Sequence, residues 1–376
     1  MEFKVKQSTL KNALAAVAGV IDKRPIPILG NVLIESLGEN EIRIIGTDLD
    51  VTIRRDCGAE IITPGAVCIE GRKLIEITRN LPDVDMRFIK DNKEWVTVSA
   101  SASKFRFPGR PRDEFPLEPE PVPMPVKMPM ETLRTLIKRT AFAVATNEGL
   151  PAITEGIKTE IGEAHIRLVA AHTKKVPIAE AEIESESLYD FIIPQKAANE
   201  ILKLDAETVS IGEGERYLAF AAGDTTLTAR KMVGQFIAYE KIIPTDNDRS
   251  VVFKAEDLRA AVQRAALMAG DRLGVLSFEM TPDEVIITAV SSEEGEAEEH
   301  ITVECPGEPV TIGFEWKHLL SFLAVVDADE VELQFKDEQT QVLFTPVGDP
   351  TYRCVMPILA VDIAKRSAEN RARAAA

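Results

Sequence analysis

Apolar residues recur at helical spacing in three places along the chain. Residues 8–21, 130–144 and 255–269 carry apolar side chains three and four positions apart, as an amphipathic helix does. Leu10, Leu133 and Leu258 hold the same place in these segments. A second segment of this kind follows each one, at residues 71–82, 194–205 and 314–327. Such self-similarity predicts three near-equivalent repeats.

Short runs in which apolar and polar residues alternate fill the intervals between these helices. Residues 31–37, 41–46 and 50–56 are the first such group. Alternation with a period of two predicts strands with one solvated face. Each repeat is therefore predicted to contain two β-α-β-β-β half-repeats, an α+β fold with antiparallel sheets and two helices on one side of each domain. Ser8 is predicted to be the N-cap of the first helix.

Proline and polar segments mark the joints between the repeats. Residues 115–129 are rich in proline, which stiffens the chain, and residues 244–250 form a second joint. The predicted domains are residues 1–120, 126–245 and 250–358. A basic, alanine-rich tail at 359–376 is expected to be disordered.

The overall composition excludes several classes of protein. The chain of 376 residues has a net charge of −17, which argues against a protein that coats nucleic acid indiscriminately. The sequence has no apolar run of membrane-spanning length, and its start lacks the apolar core of a signal peptide. The four cysteines lack metal-ligand spacing. These features predict a cytoplasmic protein with reduced thiols and no metal site.

Positive charge is concentrated in the predicted helices, although the chain is acidic. In the helix at 130–144, Leu133 is expected to face inward, whereas Arg134 and Lys138 face outward together. Arg72 and Arg79 are expected to be exposed on the helix at 71–82. Such helix surfaces could face phosphate groups. The alternative is that lysine and arginine are present only because they are good helix formers.

Two apolar pairs lie where sheet edges are expected to remain open. Phe105 and Phe107 share one face of a predicted strand, and Leu267 and Met268 lie at the end of a predicted helix. Unpaired sheet edges are usually covered or paired. Head-to-tail pairing of these patches would close a ring. The alternative is that all four are ordinary core residues.

Several segments, in this order and spacing over residues 1–358, resemble one family: the bacterial DNA polymerase III β subunits, the DNA sliding clamps. The repeat architecture fits the same family. The segments are RPIPILGNVLIE at 24–35, GTDLDVTIRR at 46–55, GRKLIEITRNLP at 71–82, FIIPQKAANEILKL at 191–204, GQFIAYEKIIP at 234–244 and YRCVMPI at 352–358.

The resemblance implies a head-to-tail dimeric ring whose helices line a hole for duplex DNA. Such a clamp holds DNA without sequence readout, performs no chemistry and needs no cofactor. The implied partners are duplex DNA, a second copy, the polymerase III alpha subunit, the clamp loader and other clamp-binding repair or polymerase proteins. A membrane is not among them.

The resemblance also assigns residues to three surfaces. The implied DNA-facing residues are Arg24, Arg72, Lys73, Arg79, Arg134, Lys138, Lys196 and Lys203. The implied dimer interface consists of Phe105, Phe107, Leu267 and Met268. An implied hydrophobic cleft for partner peptides is lined by Ile153, Lys174, Lys175, Val176, Pro244, Val342, Val355, Met356, Pro357 and Ile358.

The chain departs from the family pattern mainly around this cleft. Residues 172–176 read HTKKV where the family usually has Asp-Gly-His-Arg-Leu. Ile237 stands where the family usually has proline, and Leu150 where it often has arginine near DNA. Two hypotheses remain open. The chain is either an ordinary clamp that evolved with its polymerase, or a duplicated or altered-cleft clamp with changed partner or inhibitor specificity.

Two other functional classes are less well supported by the residues. Asp48 and Asp50 could suggest acid–base or metal chemistry, but paired acids in a turn are more often capping residues. The four histidines are scattered along the sequence without metal-ligand spacing. The GEGER segment at 212–216 lacks the lysine of a phosphate-binding loop and is predicted to be a hairpin turn. A scaffold that does not act on DNA is the third class.

Overall fold

The computed structural model describes residues 1–21, 26–144, 152–269, 274–291, 295–305 and 307–359. The chain forms two compact units, Met1–Arg134 with Glu184–Met232, and Thr135–Ile183 with Val233–Ala376. Arg24, Leu150 and the tail beyond residue 359 lie outside the described residues. Within the described ranges, no helix has the length and apolar character to span a bilayer. The four cysteines are free thiols, as predicted.

The first repeat contains the helices α1 (Gln7–Val17) and α2 (Gly71–Asn80), which contact each other. Leu10, Leu14 and Val17 of α1 are buried, which is the apolar face that the sequence predicts. The strands of this repeat are β1 (Glu2–Lys6), β2 (Asn31–Leu37), β3 (Glu41–Thr47), β4 (Val51–Gly58), β5 (Glu60–Thr63), β6 (Ala66–Glu70), β7 (Asp85–Lys90), β8 (Trp95–Ala100) and β9 (Ser103–Pro108).

The prediction that Ser8 caps α1 is wrong. The helix begins at Gln7, with Lys6 in the N-cap position and no side-chain cap of its own. Instead, the backbone N–H of Ser8 donates to the Asp83 carboxylate at 3.0 Å. An acid from the loop after α2 therefore satisfies a free amide at the start of α1. Hydrogen bonds from the Ser8 side chain and then from its backbone amide lower the pKa of Asp83.

The second and third repeats have the same element order. Their helices are α3 (Met130–Ala141), α4 (Gln195–Ile201), α5 (Ala255–Ala266) and α6 (Trp316–Leu323). The strands of the second repeat are β10 (Val126–Pro129), β11 (Gly156–Ile161), β12 (His165–Val169), β13 (Val176–Glu182), β14 (Tyr189–Pro194), β15 (Thr208–Glu213), β16 (Tyr217–Ala222) and β17 (Thr225–Arg230). Those of the third are β18 (Arg249–Lys254), β19 (Val275–Met280), β20 (Glu284–Ser291), β21 (Gly295–Thr302), β22 (Val310–Glu315), β23 (Glu330–Phe335), β24 (Val342–Pro346) and β25 (Tyr352–Met356).

The predicted β-α-β-β-β half-repeat is confirmed in each repeat. The first half-repeats are β1-α1-β2-β3-β4, β10-α3-β11-β12-β13 and β18-α5-β19-β20-β21. The second half-repeats are β6-α2-β7-β8-β9, β14-α4-β15-β16-β17 and β22-α6-β23-β24-β25. The sequence patterns did not identify β5, β10, β11 and β18. Strand β21 begins at Gly295, and its first residues are mostly exposed and acidic.

Last strands of half-repeats join one repeat to the next. In the first compact unit, β4 pairs antiparallel with β17, with Val51 opposite Ala229. In the second unit, β13 pairs antiparallel with β25, with Val176 opposite Val355. Each joint thus pairs the last strand of a first half-repeat with the last strand of the second half-repeat in the following repeat. Continuous sheets result, in the orders β10-β15-β16-β17-β4-β3-β2-β6 and β11-β12-β13-β25-β24-β23-β18.

Each of two smaller sheets has the last strand of a half-repeat at one edge. Their orders are β5-β1-β7-β8-β9 in the first unit and β21-β20-β19-β22 in the second. Strand β9 ends a second half-repeat, and β21 ends a first half-repeat. Each lies at the edge of its sheet within the described residues.

Within the first unit, the proline-rich joint packs against strand β15 at Gly212. Gly212 of β15 is buried, and a Cβ at this position would lie well inside van der Waals contact of the Pro123 carbonyl oxygen. Only glycine allows the joint to approach β15 so closely. The GEGER segment is the β15–β16 hairpin connection, as predicted, and Gly214 N–H donates to the Tyr217 carbonyl at 2.8 Å.

Replacement of Gly212 by alanine is expected to destabilise the first unit. The clash is with backbone atoms, so relief requires a shift of the joint, at a cost of about 1–3 kcal/mol. Urea unfolding measures this loss. Gly58→Ala is the matched control because no atom lies within 4 Å of its Cβ position. Equal stability of the two variants would contradict the close packing of the joint.

Candidate functional site

A mostly apolar cavity of about 210 Å³ lies in the second compact unit. Strands β13 and β25 form its floor through Val176 and Val355, which are directly opposite each other. Ile237 and Ile242 form one wall. The full lining is Thr154, Ala171, His172, Thr173, Lys175, Val176, Ile237, Ile242, Gln341, Val355 and Pro357. An apolar groove with a few polar groups suits a short peptide.

Lys175 places a buried positive charge beside this cavity. Its side chain is 5% exposed, and its ammonium group donates to Ser321 Oγ at 2.8 Å. The ammonium also lies 4.9 Å from the centroid of the Phe142 ring. A buried lysine of this kind is tolerated because polar and aromatic partners compensate for lost hydration.

Two histidines meet at the same end of the cavity. The His172 and His318 rings are 4.8 Å apart, measured between centroids. His172 Nδ1 accepts a hydrogen bond from the Lys174 amide at 3.2 Å. Burial, followed by the charges of the nearby lysines and His172, lowers the pKa of His318 to about 4. His318 is therefore neutral near pH 7, and its Nδ1 is buried without a partner among the described residues.

Nothing in the sequence pattern indicates this pair, because His172, in the turn between β12 and β13, and His318 of α6 are distant in sequence. The pair does not form a metal centre. Among the described residues, no group of three His, Cys, Asp or Glu side chains could hold a metal ion.

The predicted cleft residues fall into three groups. Lys175, Val176, Val355 and Pro357 line the cavity, and Lys174, Met356 and Pro357 line a small neighbouring pocket with His318. The third group lines neither pocket within the described part of the chain; it consists of Ile153, Pro244, Val342 and Ile358. Ile153 lies next to Gly234, since a Cβ on that glycine would be 3.3 Å from Ile153 Cδ1, and Val342 is buried opposite Met356.

Sequence reasoning missed several lining residues as cleft members. Thr173 and Ile237 were recognised only as departures from the family, and Ile242, Thr154, Ala171 and Gln341 were not identified at all. The apolar positions of FIAYEKI at 236–242 are the signal that could have indicated this wall.

The helix surfaces carry exposed basic residues. Arg72, Lys73 and Arg79 are exposed on α2, whereas Leu74 and Thr78 face the core. Lys138 is exposed on α3. Lys196 is exposed but pairs with Asp48, and Lys203 is exposed and pairs with Glu200 at 2.7 Å. These pairs reduce the positive charge that the last two lysines present.

The prediction that Arg134 faces outward is wrong. Its side chain is 22% exposed, and its guanidinium donates to the Leu204 carbonyl at 2.8 Å and pairs with Glu131. Arg259, at the corresponding position of α5, donates to the Leu323 carbonyl in the same way. Both arginines satisfy carbonyl groups at the end of the second helix of their repeat. They hold helix pairs together, which periodicity along one helix could not reveal.

Asp48 and Asp50 show no catalytic arrangement. Asp48 Oδ1 accepts from the amides of Asp50 and Val51, at 3.0 and 2.7 Å. These contacts form the turn between β3 and β4, as expected for a capping acid.

The predicted interface residues lie on edge elements. Phe105 and Phe107 are half-buried on β9. Leu267, at the end of α5, is 74% exposed, and Met268 is half-buried. An ion pair of 2.6 Å between Arg264 and Glu299 ties this end of α5 to β21.

A second cavity, of about 940 Å³, is a poor candidate for any of these roles. It lies at the start of α5 and is lined mainly by charged residues, including Glu256, Asp257, Asp327 and Asp329. Such an acidic surface repels phosphate and gives an apolar peptide little to contact.

Comparison with known proteins gives consistent matches over nearly the whole chain. Family models of the DNA polymerase III beta subunit match its N-terminal domain at residues 1–119, its central domain at 127–237 and its C-terminal domain at 240–359. The chain is 30% identical over 367 residues to the beta sliding clamp of Pseudomonas putida, covering 95% of this chain and 100% of the relative. The beta sliding clamp of Caulobacter vibrioides is 28% identical over 374 residues, covering 96% and 100%.

Solved structures agree with these matches. The DNA polymerase III subunit beta of Pseudomonas aeruginosa has a TM-score of 0.91 and 27% identity, covering 96% of this chain and 100% of that one. A structure of the Pseudomonas aeruginosa clamp bound to griselimycin has a TM-score of 0.90 and 27% identity, covering 96% and 99%. The Bacillus subtilis clamp, at 24% identity, matches in fold with a TM-score of 0.91 and the same coverage.

The buried His318 predicts a pH dependence of stability. Its folded-state pKa lies below the value of about 6.5 in an unfolded chain, so its protonation favours unfolding as the pH falls from about 6.5 towards 4. The wild type should lose stability between pH 7 and pH 5. In His318→Gln we expect this decrease in the free energy of unfolding, measured with urea, to be smaller by about 1–2 kcal/mol. His165→Gln, at an exposed site, is the control. An unchanged pH dependence in His318→Gln would contradict this environment.

Proposed function

The chain belongs to the family of bacterial DNA polymerase III beta subunits, the DNA sliding clamps, and we propose that it encircles duplex DNA as a ring of two copies. It is an accessory, non-catalytic subunit. In this proposal it acts in the cytoplasm and tethers the replicative polymerase and other DNA-acting proteins. The single observation that carries the proposal is a pairing rule: the last strand of a first half-repeat pairs with the last strand of the second half-repeat in the following repeat.

The rule leaves one pair of complementary edges. Strand β4 pairs with β17, and β13 pairs with β25. The same rule would pair β21, which ends a first half-repeat, with a strand that ends a second half-repeat. The remaining strand of that type is β9, and both lie at sheet edges within the described residues. A second copy would satisfy both edges through head-to-tail contacts.

Side chains on the two edges support this pairing. Lys104 and Arg106 are exposed on β9, whereas Glu296 and Glu298 are exposed on β21. Opposite charges on facing strands favour one register and one partner. Phe105, Phe107, Leu267 and Met268 would supply the apolar part of the interface.

The DNA-facing surface in this proposal is formed by the helices. Arg72, Lys73, Arg79 and Lys138 are exposed, and Lys196 and Lys203 add charge that Asp48 and Glu200 partly offset. Contacts to phosphate position DNA without reading its sequence. Arg134 is left out of this surface because its guanidinium is occupied by Leu204 and Glu131.

The cavity in the second unit is the proposed docking site for partner peptides. Segments of the polymerase III alpha subunit, the clamp loader and repair proteins would bind there. A ring on DNA that also holds the polymerase raises the effective concentration of the polymerase at the primer end. The Pseudomonas aeruginosa clamp, which is similar to this chain, binds griselimycin.

An altered cleft is the second candidate. Thr173 and Ile237, two positions that depart from the family pattern, both line the cavity. A side chain in place of glycine and a flexible aliphatic side chain in place of proline change the shape of the groove. This favours a changed set of partners or inhibitors without a change in the clamp role.

Retention on closed DNA tests the ring. We expect the purified protein, once placed on closed circular duplex by a clamp loader, to stay bound during gel filtration and to be lost when the circle is cut. A ring held by topology slides off a free end, whereas a protein held by local contacts does not.

Leu267→Lys is the matched variant, because it puts a charge into the proposed interface from an exposed position. It should lower retention on circles and shift the sedimenting species to one copy. Equal retention on circular and linear DNA would contradict the proposed function.

A further inference from the structure

The wall of the apolar cavity is a short turn built around one buried tyrosine. Ile237 and Ile242 line the cavity, and Tyr239 between them is 2% exposed. The Ile242 amide donates to the Tyr239 carbonyl at 2.9 Å, which closes the turn. At the start of the segment, Gly234 has φ +148°, and a Cβ added there would lie 3.3 Å from Ile153 Cδ1. The side chain of Tyr239 is therefore the central anchor of the wall.

A ladder of charged residues crosses the sheet beneath this turn. Glu160, Arg167 and Glu180 are directly opposite one another on β11, β12 and β13. Arg167 donates to Glu160 at 3.4 Å and to Glu180 at 3.1 Å. Arg353 of β25 donates to the same Glu180 oxygen at 2.9 Å. Opposite charges at directly facing positions stabilise neighbouring strands.

The hydroxyl of Tyr239 connects the turn to this ladder. It donates to Glu160 Oε2 at 2.9 Å and accepts from Arg167 at 3.3 Å. Burial raises the pKa of Tyr239, so the phenol stays protonated and remains a donor. Hydrogen bonds to charged groups are among the stronger ones in proteins.

The strands that carry the ladder also carry the cavity floor. Arg353 and Val355 lie two residues apart on β25, and Val176 and Glu180 are both on β13. The ladder fixes these strands relative to one another, and Tyr239 fixes the wall relative to the ladder. We propose that Tyr239 is a positioning residue for partner peptides, which sets the distance between the Ile237–Ile242 wall and the Val176–Val355 floor.

This inference rests on the proposed function of the cavity. A peptide gains most from a groove that is already shaped before binding, because ordering the groove on binding lowers the affinity. Loss of the hydroxyl would free the wall without removing any atom that the peptide touches. The expected effect is about a five- to tenfold weaker affinity, the size of one typical lost hydrogen bond.

The test uses the full chain and a synthetic peptide copied from the C-terminus of the polymerase III alpha subunit of the same genome. Calorimetry gives the Kd for the wild type, Tyr239→Phe, Glu160→Ala and the double variant. We expect each single variant to bind the peptide less tightly than the wild type. The double variant should have the same Kd as the single variant with the higher Kd, because both substitutions remove the same contact. Methyl NMR signals of Ile237 and Ile242 should broaden in Tyr239→Phe.

Tyr217→Phe, at a half-buried tyrosine on β16, is the control and should bind as the wild type does. An unchanged Kd for Tyr239→Phe, with a peptide that binds the wild type, would overturn the positioning role. So would weaker binding accompanied by loss of retention on circular DNA, since that would indicate general unfolding. A wild type that does not bind the peptide would instead refute the proposed cleft itself, and the inference with it.

Discussion

The arrangement of this chain depends on backbone hydrogen bonding at the last strand of each half-repeat. Such a strand has one side paired within its own half-repeat and one side open, and open N–H and C=O groups in a sheet seek partners. The β4–β17 and β13–β25 pairs satisfy four of these strands within the chain. Two last strands remain. Strand β21 ends a first half-repeat and β9 ends a second half-repeat, as in the two internal pairs, and the two strands carry opposite exposed charges. Repetition thus accounts for both the internal joints and the proposed contact between copies.

The proposed partner site follows from one of these joints. The floor of the cavity consists of Val176 and Val355, which face each other only because β13 pairs with β25. The helices have a separate role, since they bury one face against the sheets and leave basic residues such as Arg72 and Lys138 exposed. Ring closure, DNA contact and peptide binding can therefore vary independently, and Thr173 and Ile237 lie only at the last of these sites.

Local patterns in the sequence predicted the repeat, the helix faces and most strands, because these depend on neighbours within one element. The patterns failed where a residue is used by a distant element. The pattern predicts an exposed helix residue at Arg134, but its guanidinium donates to the Leu204 carbonyl, just after α4. His172 and His318 look unrelated in sequence, but the turn before β13 and helix α6 bring them together. The turn at Tyr239 was missed as a cleft wall because its anchor is a charge ladder on other strands.

Hydrogen exchange at the two edges tests the central claim most directly. The rule predicts that the outward-facing amides of β9 (Ser103–Pro108) and β21 (Gly295–Thr302) become protected together at concentrations where sedimentation shows two copies. They should exchange freely where one copy predominates. Two-copy assembly with both strands still exchanging freely would contradict the pairing of these edges.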